Sequence, residues 1–478
     1  MPTRRDQLQS HQFLTQRVVS AFVTRETDPA QSPLRRGIGA VFAGVMIAVM
    51  VGAGFGVYGL LTKIGGNSWK ADGAVVIEKE TGASFVYQGG RLHPMLNYTS
   101  ALLATGSPGH PVFRESAATL RSVPRGNLLG IPYAPDSLPD AGHLAAGPWT
   151  LCTRVPDSSS SPTTTLALAA AAAGAHPIAD DGLLVRDPQT SSTFLIWHGN
   201  RYRVADSLMS GLFGVVTPTP VGTAWLNGIP RGPDIAPLSV PGSGRSAAAP
   251  QYSVGELLAN QVGSGGQQFW MVLDDGLAPI TELQKDIAVS QGADKPKPIS
   301  VPDTNTLPHS DRLSSHDPVP LPTAPPHLAT QADPADQLCV EFGAGQAAAT
   351  TQGGAIAQAG ATAPTAATVT VGGAVLSGTP TRAGTATGTV LADQVSAPPG
   401  RAELVRVQTA GGATAGYYLI TDLGIRYAIA NDSVLNILGF TADKATPEPD
   451  TLVRLIPSGP ALDPAAAAAP APSSIDGG

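Results

Sequence analysis

Read for hydrophobic and polar positions, the chain divides at one uncharged apolar run, Ile38 to Leu61, with mixed patterns on either side. At about 1.5 Å per residue the run makes a helix of about 36 Å, enough to cross a roughly 30 Å hydrocarbon core with some tilt. It is too long and starts too far into the chain for a cleaved signal peptide, and Ala71-Asp72-Gly73 is a weak match to a cleavage site. Ala40, Gly44, Ala48, Gly52 and Gly56 recur every four residues, so the helix carries a small-residue ridge that lets a second helix approach closely. Ahead of it, residues 1-37 read as a head containing one short amphipathic helix, with Leu14, Val18, Ala21 and Phe22 at helical spacing. Asp28-Pro29 and Ser32-Pro33 end that periodicity. Phe13, Leu14, Val18 and Phe22 are the expected contacts of this head with a partner.

Beyond the span the pattern changes to short alternating runs. Ala74 to Leu96 reads as strand, turn, strand, tight Gly89-Gly90 turn and short strand, and NYTSALLATG follows with helical character. Gly182 to Gly214 repeats that order around His198-Gly199-Asn200, Gln267 to Val289 around Asp274-Asp275-Gly276, and Ala402 to Phe440 around Thr421-Asp422-Leu423-Gly424. Aligned on Gly90, Gly199, Gly276 and Gly424, each copy has an aromatic-rich strand before the glycine and an apolar segment after it. The spacing is too uneven for a solenoid, so the pattern predicts four small ββ(β)α repeat modules at 71-120, 180-220, 250-294 and 400-445. Two further blocks, 121-179 and 335-399, each hold short β segments and one cysteine, and are expected to form a discontinuous central β domain. The Pro/Ser-rich stretch 295-334 reads as an exposed linker and 458-478 as a disordered tail.

Composition supports strands and turns over long soluble helices, since glycine (54) and proline (44) are frequent and aromatics are 5% of the chain. A net charge of −7 removes the electrostatic case for nucleic acid. The charge distribution adds orientation. Arg4, Arg5, Arg17, Arg25, Arg35 and Arg36 precede the span, whereas Lys63, Lys70 and Lys79 follow it among Asp72, Glu78 and Glu80, which predicts a cytoplasmic head and an exterior remainder. Cys152 and Cys339 then lie on the oxidising side and are expected to be bonded, a cross-link that the chain-entropy argument values at roughly 5 kcal/mol. Neither has a His or Cys neighbour at ligand spacing, so no metal or cofactor is expected.

The search for chemistry finds little. There is no G-x-x-x-x-G-K-[ST], H-E-x-x-H, G-x-S-x-G or S-x-x-K, hence no handle for a nucleotide site, a metalloprotease or a serine hydrolase. Ser315-His316-Asp317 places triad residue types side by side in a proline-rich loop, where a spatially assembled triad is not expected. Asp180-Asp181 and Asp274-Asp275 are paired carboxylates in turn settings, and His93 and His198 border the repeat turns; all read as structural. No catalytic residue is predicted.

Three stretches carry a family resemblance: QSHQFLTQRVVSAFVTRETDPAQSPLRR in the head, GLLVRDPQTSSTFLIWHGNRYRV in the second repeat, and GYYLITDLGIRYAIANDSVLNILGF in the fourth, together with the two cysteines. The chain resembles EccB, a membrane component of type VII (ESX) secretion systems. The resemblance implies a β-rich α+β protein with a single N-terminal transmembrane helix and an elongated exterior region, in which four repeat modules surround a disulfide-bearing central domain. It implies assembly with the other core membrane subunits, including the system's ATPase and its polytopic subunit, and homo-oligomerisation within that complex. ATPase activity has been attributed to members of the family, and no residues here account for it. The Ala/Gly/Thr-rich stretch from Gly343 to Gly388 departs from many relatives. The alternative readings are a membrane-anchored wall-binding protein that stacks cell-wall polymer on Trp197, Tyr202, Trp270, Tyr417 and Tyr418, or a weak ATPase within the same secretion system.

Overall fold

The structure is a computed structural model that describes residues 3–24, 33–62, 67–157, 161–245, 251–263, 265–314, 317, 319–329, 335–343, 367–381, 385–386, 389–408 and 414–472. Arg25, Asp28-Pro29, Lys63, Ser315-His316 and much of the Gly343 to Gly388 stretch, which figure in the expectations above, lie outside the described residues. The chain divides into two compact units, Met1–Lys70 and Ala71–Gly478. The first holds two helices, α1 (Arg4–Thr24) and α2 (Pro33–Thr62). Pro33 suits the first turn of α2, where its missing N–H has no intrahelical partner to lose. Within α2, Gly37–Gly59 is long and apolar enough to cross a membrane, and none of that stretch is buried.

The second unit opens with β1 (Ala74–Glu78), β2 (Ser84–Gln88) and β3 (Arg91–Pro94), an antiparallel meander. The helix α3 (Tyr98–Ala104) follows, its first turn capped by the Asn97 side chain on Ser100 N–H. Next, β4 (Val112–Glu115) pairs parallel to β1, and α4 (Ala117–Leu120) ends the set, giving the order β3-β2-β1-β4. The central strands β5 (Trp149–Arg154), β6 (Thr163–Ala167) and β7 (His176–Pro177) come next. A second four-stranded sheet is built from β8 (Leu183–Arg186), β9 (Thr193–Trp197), β10 (Asn200–Val204), α5 (Asp206–Phe213), β11 (Thr219–Pro220) and α6 (Thr223–Gly228). A third uses β12 (Leu257–Val262), β13 (Gly266–Val272), β14 (Leu277–Ile280), α7 (Glu282–Ser290), β15 (Lys297–Pro298) and α8 (Val301–Thr306). Thr281 and Gln284 form a reciprocal capping box at the start of α7.

The chain then returns to the centre with β16 (Leu338–Phe342), β17 (Ala367–Val371) and β18 (Thr379–Pro380). A two-residue ribbon of β19 (Thr385–Ala386) and β20 (Thr389–Val390) precedes β21 (Gln394–Ser396). The fourth small sheet has β22 (Ala402–Gln408), β23 (Thr414–Thr421), β24 (Arg426–Ile429), α9 (Asp432–Ile437), β25 (Thr446–Pro449) and α10 (Asp450–Val453), and α11 (Pro464–Ala467) closes the chain. All four small sheets share the strand order of the first, with the fourth strand parallel to the first strand of its set.

The central sheet has seven strands in the order β18-β21-β6-β5-β16-β17-β7, drawn from both sides of the second and third sheets. Cys152 on β5 faces Cys339 on β16 in register, and the two are joined across a sequence separation of 187 with Cα atoms 4.0 Å apart. One face of this sheet, with Trp149, Leu151, Val340 and Phe342, shares a core with Val185 and Ile196 of the second sheet and Val405 and Ile420 of the fourth. The helices α6 and α10 meet each other over that face. The second and third sheets share another core through α5 and α7, with Tyr202, Leu208, Leu283 and Ile287, and the first and fourth share one with Leu103, Leu404, Tyr427 and Leu435.

Two expectations are corrected. The 295-334 stretch is not simply a linker. Lys297–Pro298 is a strand, Ile299 and Thr304 are buried, and Gly182 N–H donates to His327 O at 2.6 Å on the edge of the second sheet. The 458-478 segment is not a free tail through residue 472. Ile429 pairs with Leu462, Leu129 pairs with Pro470, and both Leu462 and Ala467 are buried. Scattered apolar residues such as Ile299, Leu462 and Ala467 are used for tertiary contact, which composition alone does not register. The third and fourth sheets also run past the expected module ends at 294 and 445, since β15 and β25 lie beyond them.

Candidate interaction sites and the central joint

The expected contact residues of the first unit are outward-facing. Phe13, Leu14 and Phe22 are 62%, 62% and 86% exposed on α1, with the Arg17 guanidinium 5.7 Å from the Phe13 ring centroid. On α2, Ala40 and Ala48 are exposed, and a side chain added at Gly44, Gly52 or Gly56 would meet nothing within 4 Å. Both surfaces offer apolar area without a protein partner among the described residues, the property a docking helix requires.

The expected turn glycines serve different ends. Gly90 sits at φ +74°, a left-handed tight turn between β2 and β3. At Gly276 a side chain would run into the Pro308 carbonyl, so close backbone approach is what requires glycine there. That contact belongs to a feature the sequence reading missed. After the short helix of each set comes an apolar-Pro-x-Gly/Ser segment: Val123-Pro124-Arg125-Gly126, Ile229-Pro230-Arg231-Gly232, Leu307-Pro308-His309-Ser310 and Ile456-Pro457-Ser458-Gly459. Each segment lies parallel to the third strand of its sheet. Leu92, Arg201, Leu277 and Arg426 donate their N–H to the four proline carbonyls at 2.7 to 3.0 Å, and their own carbonyls accept from Gly126, Gly232, Ser310 and Gly459. The segments cover edges that would otherwise be free to pair with other chains. The glycines lie against the rings of His93, Tyr202 and Tyr427, whereas in the third sheet, where Ser310 takes the glycine's place, the residue corresponding to the ring is Ala278. The recurrence of Pro-x-Gly was the signal available in the sequence.

The aromatic residues proposed for wall polymer are largely engaged within the protein. Trp197 donates Nε1–H to Asp180 O at 3.0 Å and stacks on His198 at 3.8 Å, while Trp270 donates to Asn260 Oδ1 at 2.7 Å. Tyr202 is buried with its hydroxyl donating to Pro320 O, Tyr417 bonds Asp432, and Tyr418 lies 5.2 Å beneath the Arg426 guanidinium. Asp274 and Asp275 both hold Arg312, and Asp180 holds His198. His93 Nδ1 lies 3.2 Å from Asn127 O.

A second feature not foreseen lies between the fourth and central sheets. The Trp149 indole Nε1–H donates to Glu403 Oε1 at 2.8 Å in a fully buried contact. Glu403 and Glu448 are 2% and 3% exposed, and burial pushes the Glu403 carboxyl up to about 7 against the opposing hydrogen bond from Trp149. Burial, reinforced by Glu403, pushes Glu448 up to about 9. The sequence shows only that Glu403 shares the alternation phase of Val405 and Val407, not which phase meets a core. Trp225 makes a comparable neutral link, donating Nε1–H to Leu151 O at 3.0 Å where α6 covers β5.

Comparison with known proteins gives consistent results. Residues 1–472 match the family described as type VII secretion system ESX-1, transport TM domain B. The protein named ESX-2 secretion system ATPase EccB2 from Mycobacterium tuberculosis H37Rv is 30% identical over 96% of this chain and 93% of its own length. ESX-3 secretion system ATPase EccB3 from Mycolicibacterium smegmatis is 28% identical over 96% of this chain and 89% of its own. Among solved structures, a chain of an intact ESX-5 inner membrane complex superposes with a TM-score of 0.62 at 24% identity, covering 99% of this chain and 96% of that one. The EccB3 dimer of the ESX-3 core complex gives 0.60 at 25% identity, covering 82% and 99%.

Proposed function

The chain belongs to the EccB family of type VII (ESX) secretion subunits, and from that premise we propose that it is a structural subunit of an ESX membrane complex, scaffolding it from outside the cytoplasmic membrane. The observation that carries the reading is the match along nearly the whole chain, which includes both the apolar helix and the disulfide-bearing second unit. The arginines ahead of the apolar stretch support a cytoplasmic head. In this reading Phe13, Leu14, Val18 and Phe22 meet a cytoplasmic partner, and the ridge of Ala40, Gly44, Ala48, Gly52 and Gly56 meets a membrane helix. The four small sheets are repeat modules, as their common strand order and common Pro-x-Gly/Ser edge suggest. Partners are the core subunits of the same system, with further copies of this chain. The ATPase named in relatives has no recognised nucleotide motif here, and hydrolysis that survives further purification and vanishes with one point substitution would add it to the function. Wall binding gains no support, because Tyr202 is buried and the Trp197 and Trp270 indoles already donate to Asp180 and Asn260.

The test is purification of tagged full-length protein in mild detergent, with mass spectrometry of what migrates with it. An ATPase and a polytopic membrane subunit should co-migrate, and deletion of residues 1-37 or Ala40→Leu with Ala48→Leu should reduce that yield. A protein that runs alone, with its exterior region retained on purified cell wall, would overturn the reading.

A further inference from the structure

We propose that Trp149, Glu403 and Glu448 form a proton-controlled joint: the fourth sheet is held on the central sheet while both carboxyl groups carry protons, and loosens when they ionise. The joint rests on geometry independent of the secretion reading. Along β22, Val405 and Val407 belong to the central core and Leu404 to the core shared with the first sheet, so alternation puts Glu403 on the central side. Glu448 stands beside Val407 in the parallel pairing of β22 with β25, on that same side. Among the described residues the Trp149 indole is the only hydrogen-bond donor to Glu403 from the central sheet, and Glu403 Oε2 has no partner.

No cation compensates these carboxyls among the described residues. Arg406 has the opposite phase on β22 and acts on Tyr417, Arg454 pairs with Asp450 on α10, and Asp393 beside β21 accepts from Thr164 N–H. The one titratable group that bears on Glu448 is Glu403, and the Trp149 indole is the one group that opposes the effect of burial at Glu403. Two ionised carboxylates at this depth would repel each other without a counter-charge, which favours separation of the sheets or entry of water.

The direction of the pH effect follows from values of about 7 and about 9 in the folded joint against 4.5 for a free glutamate. The closed joint binds protons that the opened one releases, so its stability is full below pH 4.5 and declines as pH rises through 7 toward 9. Hydrogen exchange of the detergent-solubilised full chain tests this, read as protection factors at pH 5.5 and 8.5 over 402–408 and 446–449, with 183–186 as reference. Protection in the two joint segments should fall by at least about thirty-fold, the share of Glu403 alone, with Glu448 adding to it, while the reference changes little. The doubly substituted Glu403→Gln, Glu448→Gln chain should lose this difference. Equal wild-type protection at both pH values, or the same loss in the double variant, would overturn the joint. Trp149→Phe provides a second reading, because removing the donor that favours ionised Glu403 should move the loosening to higher pH, and a shift to lower pH would contradict the proposal.

Discussion

Gly459→Ala is the sharpest test of how a sheet edge is closed. A Cβ there would stand 2.7 Å from Cδ1 and 3.0 Å from Cζ of Tyr427, with Cε1 closer still. The ring cannot easily yield, because Tyr427 is 4% exposed in the core shared by the first and fourth sheets. Nor can the backbone. Gly459 N–H donates to Arg426 O at 2.8 Å, and Arg426 N–H to Pro457 O at 2.9 Å. Overpacking of this kind costs about 1–3 kcal/mol, and two anchoring hydrogen bonds place this site toward the upper end. The third sheet supplies the natural control, since Ser310 occupies the corresponding place and Ala278 replaces the ring. Gly459→Ala should therefore cost at least about 1 kcal/mol less in a Tyr427→Ala background than in the wild type. Urea unfolding of residues 71–478, one compact unit, measures all four corners of the double-mutant cycle. Additive costs would refute the ring-over-glycine account and leave only a general intolerance of the edge to substitution.

Three further outcomes follow from the same contacts. Replacing Cys152 and Cys339 together by alanine should lower the unfolding free energy by about 2–5 kcal/mol, with the wild type falling to a similar value under reductant. Trp225→Phe leaves the buried Leu151 carbonyl without its indole donor and should cost about 1–3 kcal/mol in the same urea assay. Truncation after Leu462 removes the buried Ala467 and the Ala471-to-Leu128 and Gly130-to-Ala469 hydrogen bonds, so limited proteolysis should newly cut within 121–135; removal of 473–478 alone should not have that effect.

What could be read in the sequence was whatever had enough residues to show a period. The apolar run of α2, the hairpins around Gly90, Gly199 and Gly424, and the strand character of the segments bearing Cys152 and Cys339 all have local signatures. The fourth strands of the second and third sheets, Thr219–Pro220 and Lys297–Pro298, are too short for alternation to exist, and each contains a proline that discourages a strand reading. Leu462 and Ala467 sit in a segment whose alanines and prolines imitate disorder, yet contact with the first and fourth sheets buries both. Glu403 could not be located from the chain alone. Whether a glutamate in an alternating strand faces solvent or a core depends on what lies opposite, and here that is Trp149, far away in sequence.

The distribution of cores explains why the small sheets occur together. A sheet of four short strands with one or two short helices, in about 50–60 residues, buries too little apolar surface to be comfortably stable alone. Each sheet therefore borrows a wall. The second and third press α5 and α7 together around Leu208, Leu283 and Ile287, and the first and fourth do so around Leu103, Val434 and Leu435. The two pairs then meet over the central sheet, where Trp225 and Leu226 of α6 and Leu452 and Val453 of α10 enter a single core with Leu151 and Val340. The segment spanning the second sheet contributes to both the α5–α7 core and the central core, so isolating it would expose two apolar faces at once. Polar bonds as well as packing tie the pairs to the centre, among them the joint of Trp149 with Glu403, the link of Trp225 with Leu151 and the Gly222 N–H on Thr153 Oγ1.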